Sequence, residues 1–195
     1  MNSWININAN VYSNWFRNKI EGMWSNDQTE LHYVNIGKSR LAGVETMCKI
    51  QINRHINVHG AYNYLYTSKD ADGVRLSSSS PHSGNIRAEY NTRIPRYATV
   101  VNLSGNIMGK KKFDVLDELE IDGKKVEAYY QAKVNPYCLW DLTVSQYIMQ
   151  NLRITAGITN LFDYTSDRVT FNTSTSPGRN YFIACNYTCL LYTSP

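Results

Sequence analysis

No run of this 195-residue chain approaches 18 consecutive apolar residues, so a membrane-crossing helix is excluded. Charge of one sign is scarce too: the formal net charge is +4 and the basic residues are scattered, which leaves nucleic-acid binding without support. The four cysteines, Cys48, Cys138, Cys185 and Cys189, form no C-x-x-C pair and lack zinc spacing. Three of them, Cys48, Cys138 and Cys185, share their parity with apolar neighbours and read as small hydrophobes. His32, His55, His59 and His82 show no i, i+4 helix spacing and read as wall or loop side chains, with haem ligation by His82 the exception to test. The serine run 77–80 lacks the context of a nucleophile elbow. No catalytic set emerges, and the chain is not expected to be an enzyme, to carry a cofactor or to hold a metal. A leader is missing as well: Met1 opens directly into the strand-like SWININANVYS, so an exported protein would be represented here by a piece.

What the chain has instead is alternation. Tyr137 to Tyr164 is organised as two ribbons, Cys138, Trp140, Leu142 and Val144 on one side of the first, Leu152, Ile154, Ala156 and Ile158 on one side of the second. Only Gln150-Asn151 or so lies between them, the length of a tight hairpin turn. A unit with one apolar and one small, polar face can cover the core of a soluble sandwich, or stand in a membrane barrel with lipid outside and water inside. A negative mean hydropathy is compatible with the barrel, because every second residue of such a strand faces water.

The same period recurs along the chain. Ile5, Ile7, Ala9 and Val11 oppose Trp4, Asn6, Asn8, Asn10 and Tyr12; asparagine at successive positions suits a wall facing water, since an unpaired buried amide costs about 1–3 kcal/mol. Residues 17–30 read as a loop with room for strand extensions. Val44, Thr46, Cys48, Ile50 and Ile52 oppose Glu45, Lys49 and Gln51, with Gly37 and Gly43 expected to mark bends or bulges. Ile56–Tyr66, Ser83–Arg93, Thr99–Gly109 and Gly178–Thr188 follow the same rule, Arg87 and Glu89 falling on the polar side. Between them, Lys110 to Pro136 reads as irregular, with a small hairpin around Asp122-Gly123. Its acidic residues Asp114, Asp117, Glu118, Glu120 and Asp122 lack the ligand order of a calcium loop and, interleaved with lysines, read as a solvated face. Connections alternate long and short with every short one at the same end of the strands, and the strands carry about 9–11 alternating residues, the span of a tilted bilayer crossing. Tyrosine supplies 15 residues, and Trp4, Tyr66, Tyr97, Trp140, Tyr147 and Tyr187 fall toward strand ends, where an aromatic girdle would sit. The expected fold is all-β, an antiparallel up-and-down meander of about eight strands from a larger barrel; the alternative is a soluble β-sandwich carbohydrate-binding module.

The segment HYVNIGKSRLAGVE, residues 32–45, resembles the N-x-G-x-x-x-x-x-G-x-E segment of TonB-dependent outer-membrane receptors. PHSGNIRAEY, LWDLTVSQYIMQNLRITAGITNLFDY and SPGRNYFIACNYT resemble later strands of the same barrel in the same order, from about residue 3 to Thr188. Asn35, Gly37, Gly43, Glu45, Asn160, Leu161, Phe162, Gly178 and Arg179 stand at the matching positions. The resemblance implies a bacterial outer-membrane receptor that imports a scarce nutrient, an iron-siderophore, haem, cobalamin or glycan, with energy delivered by the TonB complex through an N-terminal plug. On that basis residues 1–188 are expected to be the C-terminal segment of the barrel and 189–195, CLLYTSP, a non-native tail. Asp114, Asp117, Glu118, His82 and Arg179 become candidate ligand-facing loop residues, outer-membrane lipid and a small molecule or oligosaccharide the expected partners.

Overall fold

A computed structural model describes residues 4–25, 29–69, 80–121, 124–148, 151–166 and 177–188. The expected tail at 189–195 lies outside them. Ten strands follow in order: β1 (Ile5–Trp24), β2 (Leu31–Gln51), β3 (Ile56–Thr67), β4 (His82–Asn91), β5 (Thr99–Met108), β6 (Lys111–Ile121), β7 (Lys124–Val134), β8 (Tyr137–Ile148), β9 (Leu152–Thr159) and β10 (Asn180–Tyr187). Eight of them form one antiparallel meander, β1-β2-β3-β4-β5-β8-β9-β10, and β6-β7 form a separate two-stranded hairpin.

Alternation sorts the side chains consistently across the whole sheet. One row runs Ile5, Ile50, Val58, Ala88, Leu103, Leu142, Ile158, Tyr181 through seven successive strand pairs. The row one step toward the opposite face runs Asn6, Lys49, His59, Arg87, Ser104, Asp141. Because the period is two, a slip of one residue anywhere would have mixed these rows. Register holds without a bulge, so Gly37 and Gly43 do not mark bulges. At Gly37 only the facing pair is interrupted, where Asn18 takes a left-handed φ of 52°.

Among the described residues nothing covers the apolar face. Ile7 is 68% exposed, Ile86 38% and Ile154 38%, and Val134 is the one large apolar side chain buried among the described residues. A sandwich would bring these isoleucines together in a dry interior; the single curved layer leaves them outside, which does not favour that alternative. From Ile52, just past β2, to Ala42 the outward series spans about 33 Å of chain, or about 25 Å of height at a barrel tilt, matching the apolar band of such walls.

Tight connections, 52–55, 92–98 and 149–151, all lie at one end of the sheet; 25–30, 68–81, 109–136 and 160–179 lie at the other. At that second end two elements outgrow the expectation. Residues 17–30 are mostly strand: β1 and β2 pair to Trp24↔Leu31, well past the last β3 partner, Leu41↔Thr67, so the hairpin projects beyond the wall. Likewise 110–136 is a regular hairpin from Lys111↔Val134 to Ile121↔Lys124, longer than the short one expected.

Aromatics gather where the apolar band ends. Tyr62, Tyr64 and Tyr66 on β3, Trp140 on β8 and Tyr181 on β10 point outward near the long-loop end, and Tyr90 and Tyr187 near the tight-turn end. Tyr147 departs from the expected girdle: it shares the inward row with Arg153, whose guanidinium lies over its ring at 5.9 Å from the centroid. Trp4 also takes the inward parity of Asn6.

Candidate functional site

Two rows of the polar face meet near the long-loop end: Asn8, Met47, Ala61, Asn85, Asn106, Leu139, and Asn10, Glu45, Asn63, Ser83, Met108, Tyr137. Curvature of the sheet makes this patch concave, and it encloses about 600 Å³. Asparagine dominates its polar groups, so it offers donors and acceptors together with a single carboxylate, Glu45. Asn63 Oδ1 is buried without a hydrogen-bond partner among the described residues. Below the patch, Arg87 lies 3.7 Å from Glu89 and donates to Asn102 Oδ1 at 3.0 Å, the solvated wall network its parity required. The arrangement is chemically a binding surface: a largely apolar concavity carrying amide donors and acceptors and one carboxylate.

The sequence NLFDY at 160–164 builds the rim. Asn160 is 3% exposed and left-handed, with φ 50°. Its backbone N–H donates to Asp141 Oδ1 at 2.9 Å, its side-chain NH₂ to the Tyr164 carbonyl at 2.7 Å, and its Oδ1 accepts the Tyr164 N–H at 2.8 Å. Leu161 N–H reaches the Trp140 carbonyl. Asp163, also left-handed, accepts the Arg179 N–H at 2.7 Å, so the turn holds both ends of the 160–179 connection. Tyr164 stacks on Tyr137 at 5.1 Å, tying this rim to the concavity. Phe162 is 68% exposed. Asn160→Ala is therefore expected to lose about 2–3 kcal/mol locally, two buried hydrogen bonds plus an unfavourable left-handed alanine. Faster hydrogen exchange at Tyr164, with the wall amides unchanged, would show it.

The other sequence candidates are dispersed. His82 lies on the outward row with Tyr64 and Val44, its Nδ1 2.7 Å from the Tyr62 hydroxyl, and so sits in the aromatic belt rather than in the concavity. Arg179 is exposed just before β10, its guanidinium pKa raised above the usual arginine range by the hydrogen bond it donates to Tyr181 and by the charges of Tyr181 and Asp163. Asp114, Asp117 and Glu118 fall along β6, opposite Gln131, Ala128 and Glu127. Asn35 stands opposite Ile20 in the projecting hairpin, Glu45 lines the concavity and Gly178 adjoins Asp163. Sequence reasoning missed Asn63, Asn85 and Asn106 as a set. Their shared signal is asparagine at inward parity on three consecutive strands.

Residues 1–161 match the family model described as TonB dependent receptor-like, beta-barrel. The chain belongs to this family. The TonB-dependent receptors are barrels of the bacterial outer membrane, which fixes the outward face as the lipid face and the concave face as the lumen. Solved structures agree on the fold. The siderophore receptor PirA from Acinetobacter baumannii superposes with a TM-score of 0.70 at 16% identity, over 96% of this chain and 30% of its own. The copper transporter OprC gives 0.70 at 14% identity, over 96% of this chain and 29% of its own. The FrpB iron transporter from Neisseria meningitidis gives 0.68 at 12% identity, over 96% and 29%. This chain thus spans less than a third of the length of the receptors it resembles.

Proposed function

We propose that this chain is the C-terminal part of the barrel wall, residues 1–188, of a receptor that captures a scarce nutrient and imports it with energy from the TonB complex. Its task is uptake rather than catalysis. The observation that carries this reading is the concavity on the lumen side, near the end of the long connections, into which Asn8, Asn10, Asn63, Asn85 and Asn106 bring amide groups. A ligand rich in both donors and acceptors, such as a siderophore, cobalamin or a glycan, finds partners there without a large charge to neutralise. The projecting β1–β2 hairpin, the β6–β7 hairpin with Asp114, Asp117 and Glu118, and the 160–179 connection with Arg179 form the capture surface above it.

Deleting the full-length gene is expected to abolish growth on one limiting nutrient supplied as its chelate or oligosaccharide, and deleting TonB is expected to do the same. Growth restored by the full-length gene in a TonB-deficient strain would overturn active import. Within that assay Asn85→Leu with Asn106→Leu is expected to raise the nutrient concentration for half-maximal uptake about tenfold, two hydrogen-bonding sites at roughly 0.5–1.5 kcal/mol each.

A further inference from the structure

The outward face does not end at the aromatic belt. Above the row Ser13, Ala42, Tyr66 comes the pair Trp15↔Arg40, and above that the pair Arg17↔Lys38. All four side chains are exposed, Trp15 by 70%. Arg40 is held in place: its Nε donates to Ser13 Oγ at 2.9 Å, its guanidinium lies 5.0 Å over the Trp15 ring, and its backbone N–H donates to Ser68 Oγ at 2.7 Å. No carboxylate occupies the outward rows of β1, β2 and β3 from the tight-turn end up to Arg17 and Lys38. The next acidic residue on that face, Glu21, is engaged by Lys19.

Height assigns this cluster to a layer. Each row is two residues of strand, about 7 Å along the chain and about 5 Å of height at a barrel tilt. Arg40 therefore stands about 5 Å, and Arg17 and Lys38 about 10 Å, above the tyrosine that closes the apolar band. A headgroup layer adds about 5–7 Å to each side of the hydrocarbon, and long cationic side chains reach down into it. Cations aimed at the lumen would serve a ligand; these point away from it.

We propose that Trp15, Arg17, Lys38 and Arg40 form a docking site for the phosphate-bearing headgroup of a membrane lipid, in the leaflet on the long-loop side. The guanidiniums and the ammonium take the phosphate, and the Trp15 ring packs on the glycerol or sugar beneath it.

The test titrates the full-length receptor, purified in a neutral detergent, with short-chain phosphatidic acid, short-chain phosphatidylcholine and inorganic phosphate, read by native mass spectrometry. Phosphatidic acid is expected to bind at least tenfold more tightly than phosphatidylcholine. Arg17→Gln, Lys38→Gln and Arg40→Gln are each expected to weaken it about fivefold, and the triple variant on the order of a hundredfold. Arg93→Gln with Arg96→Gln, the same kind of charge removed from a tight turn, is expected to change it less than twofold. Equal losses in both sets would mean net charge rather than a site and would overturn the proposal. So would an unaltered triple variant, or inorganic phosphate competing at concentrations comparable to the lipid. If the triple variant fails to fold, the single variants and the fall in wild-type affinity with salt decide the matter. Uptake plays no part in the readout, so failure here leaves the transport proposal untouched.

Discussion

Ile86→Arg is expected to destabilise the folded barrel by about 2–4 kcal/mol, while Asn85→Arg, its neighbour in the chain, changes stability by about 0.5 kcal/mol or less. Ile86 occupies the middle of β4 on the outward face, between Gly60 and Gly105, at the depth where a cation has neither water nor a headgroup within reach. Asn85 faces the hydrated concavity, where a guanidinium keeps its water and finds Glu45 nearby. The measurement is reversible urea unfolding of the full-length protein in thin bilayers. The contrast between adjacent positions is what decides it: a general intolerance of arginine in β4 would affect both. Equal losses at the two sites would mean that both faces are dry, and would remove the basis for reading one of them as lipid-facing. Ile154 is a poorer probe than its apolar environment implies, because it lies in the row of Gln146 and Cys185 near the tight-turn end, where arginine reaches the interface.

The wall was legible in the sequence because both of its solvents write on the same period. Lipid selects Ile5, Ile7, Ile50 and Ile86 at one parity and water selects Asn6, Asn8, Asn10 and Arg87 at the other, so the sorting of faces follows from counting by two. That logic stops where the bilayer stops. Beyond the Arg17↔Lys38 pair the β1–β2 hairpin stands clear of the membrane on both faces, nothing selects between Ile20 and Lys19, and an extended strand reads as a loop. The β6–β7 hairpin, outside the eight-stranded sheet, is likewise longer than its Asp122-Gly123 turn signal alone implies. His82 shows a second limit. Its residue type pointed to ligand chemistry, but its parity, that of Gly84 and Ile86, already put it on the lipid side beside Tyr62. The turn at Asn160 could be recognised only as a short motif, since its hydrogen bonds run to Asp141 and Tyr164 through a backbone conformation that leaves no periodic trace.

Gly43 illustrates how a motif residue acquires a physical reason, and its replacement has the second large expected effect. It is buried on the lumen side, directly opposite Tyr12 across the β1–β2 pair, and the phenol ring lies over it. A Cβ at this position would overlap the Tyr12 hydroxyl and come within 2.7 Å of the Tyr64 carbonyl oxygen. The ring can swing away; the carbonyl belongs to the β2–β3 ladder and cannot move without straining it. Gly43→Ala is therefore expected to cost about 1–3 kcal/mol through overpacking, and Gly43→Val more, because its branched side chain has no rotamer clear of both neighbours. Gly60 provides the comparison: it sits in the adjacent strand with open space around it, and Gly60→Ala is expected to be neutral or slightly stabilising in the same unfolding experiment. Adding Tyr12→Ala to Gly43→Ala is expected to recover only part of the loss, since the carbonyl contact persists. Full recovery would place the whole cost on the ring, and no loss at all for Gly43→Ala would mean that β2 and β3 separate more easily here than their unbroken register implies.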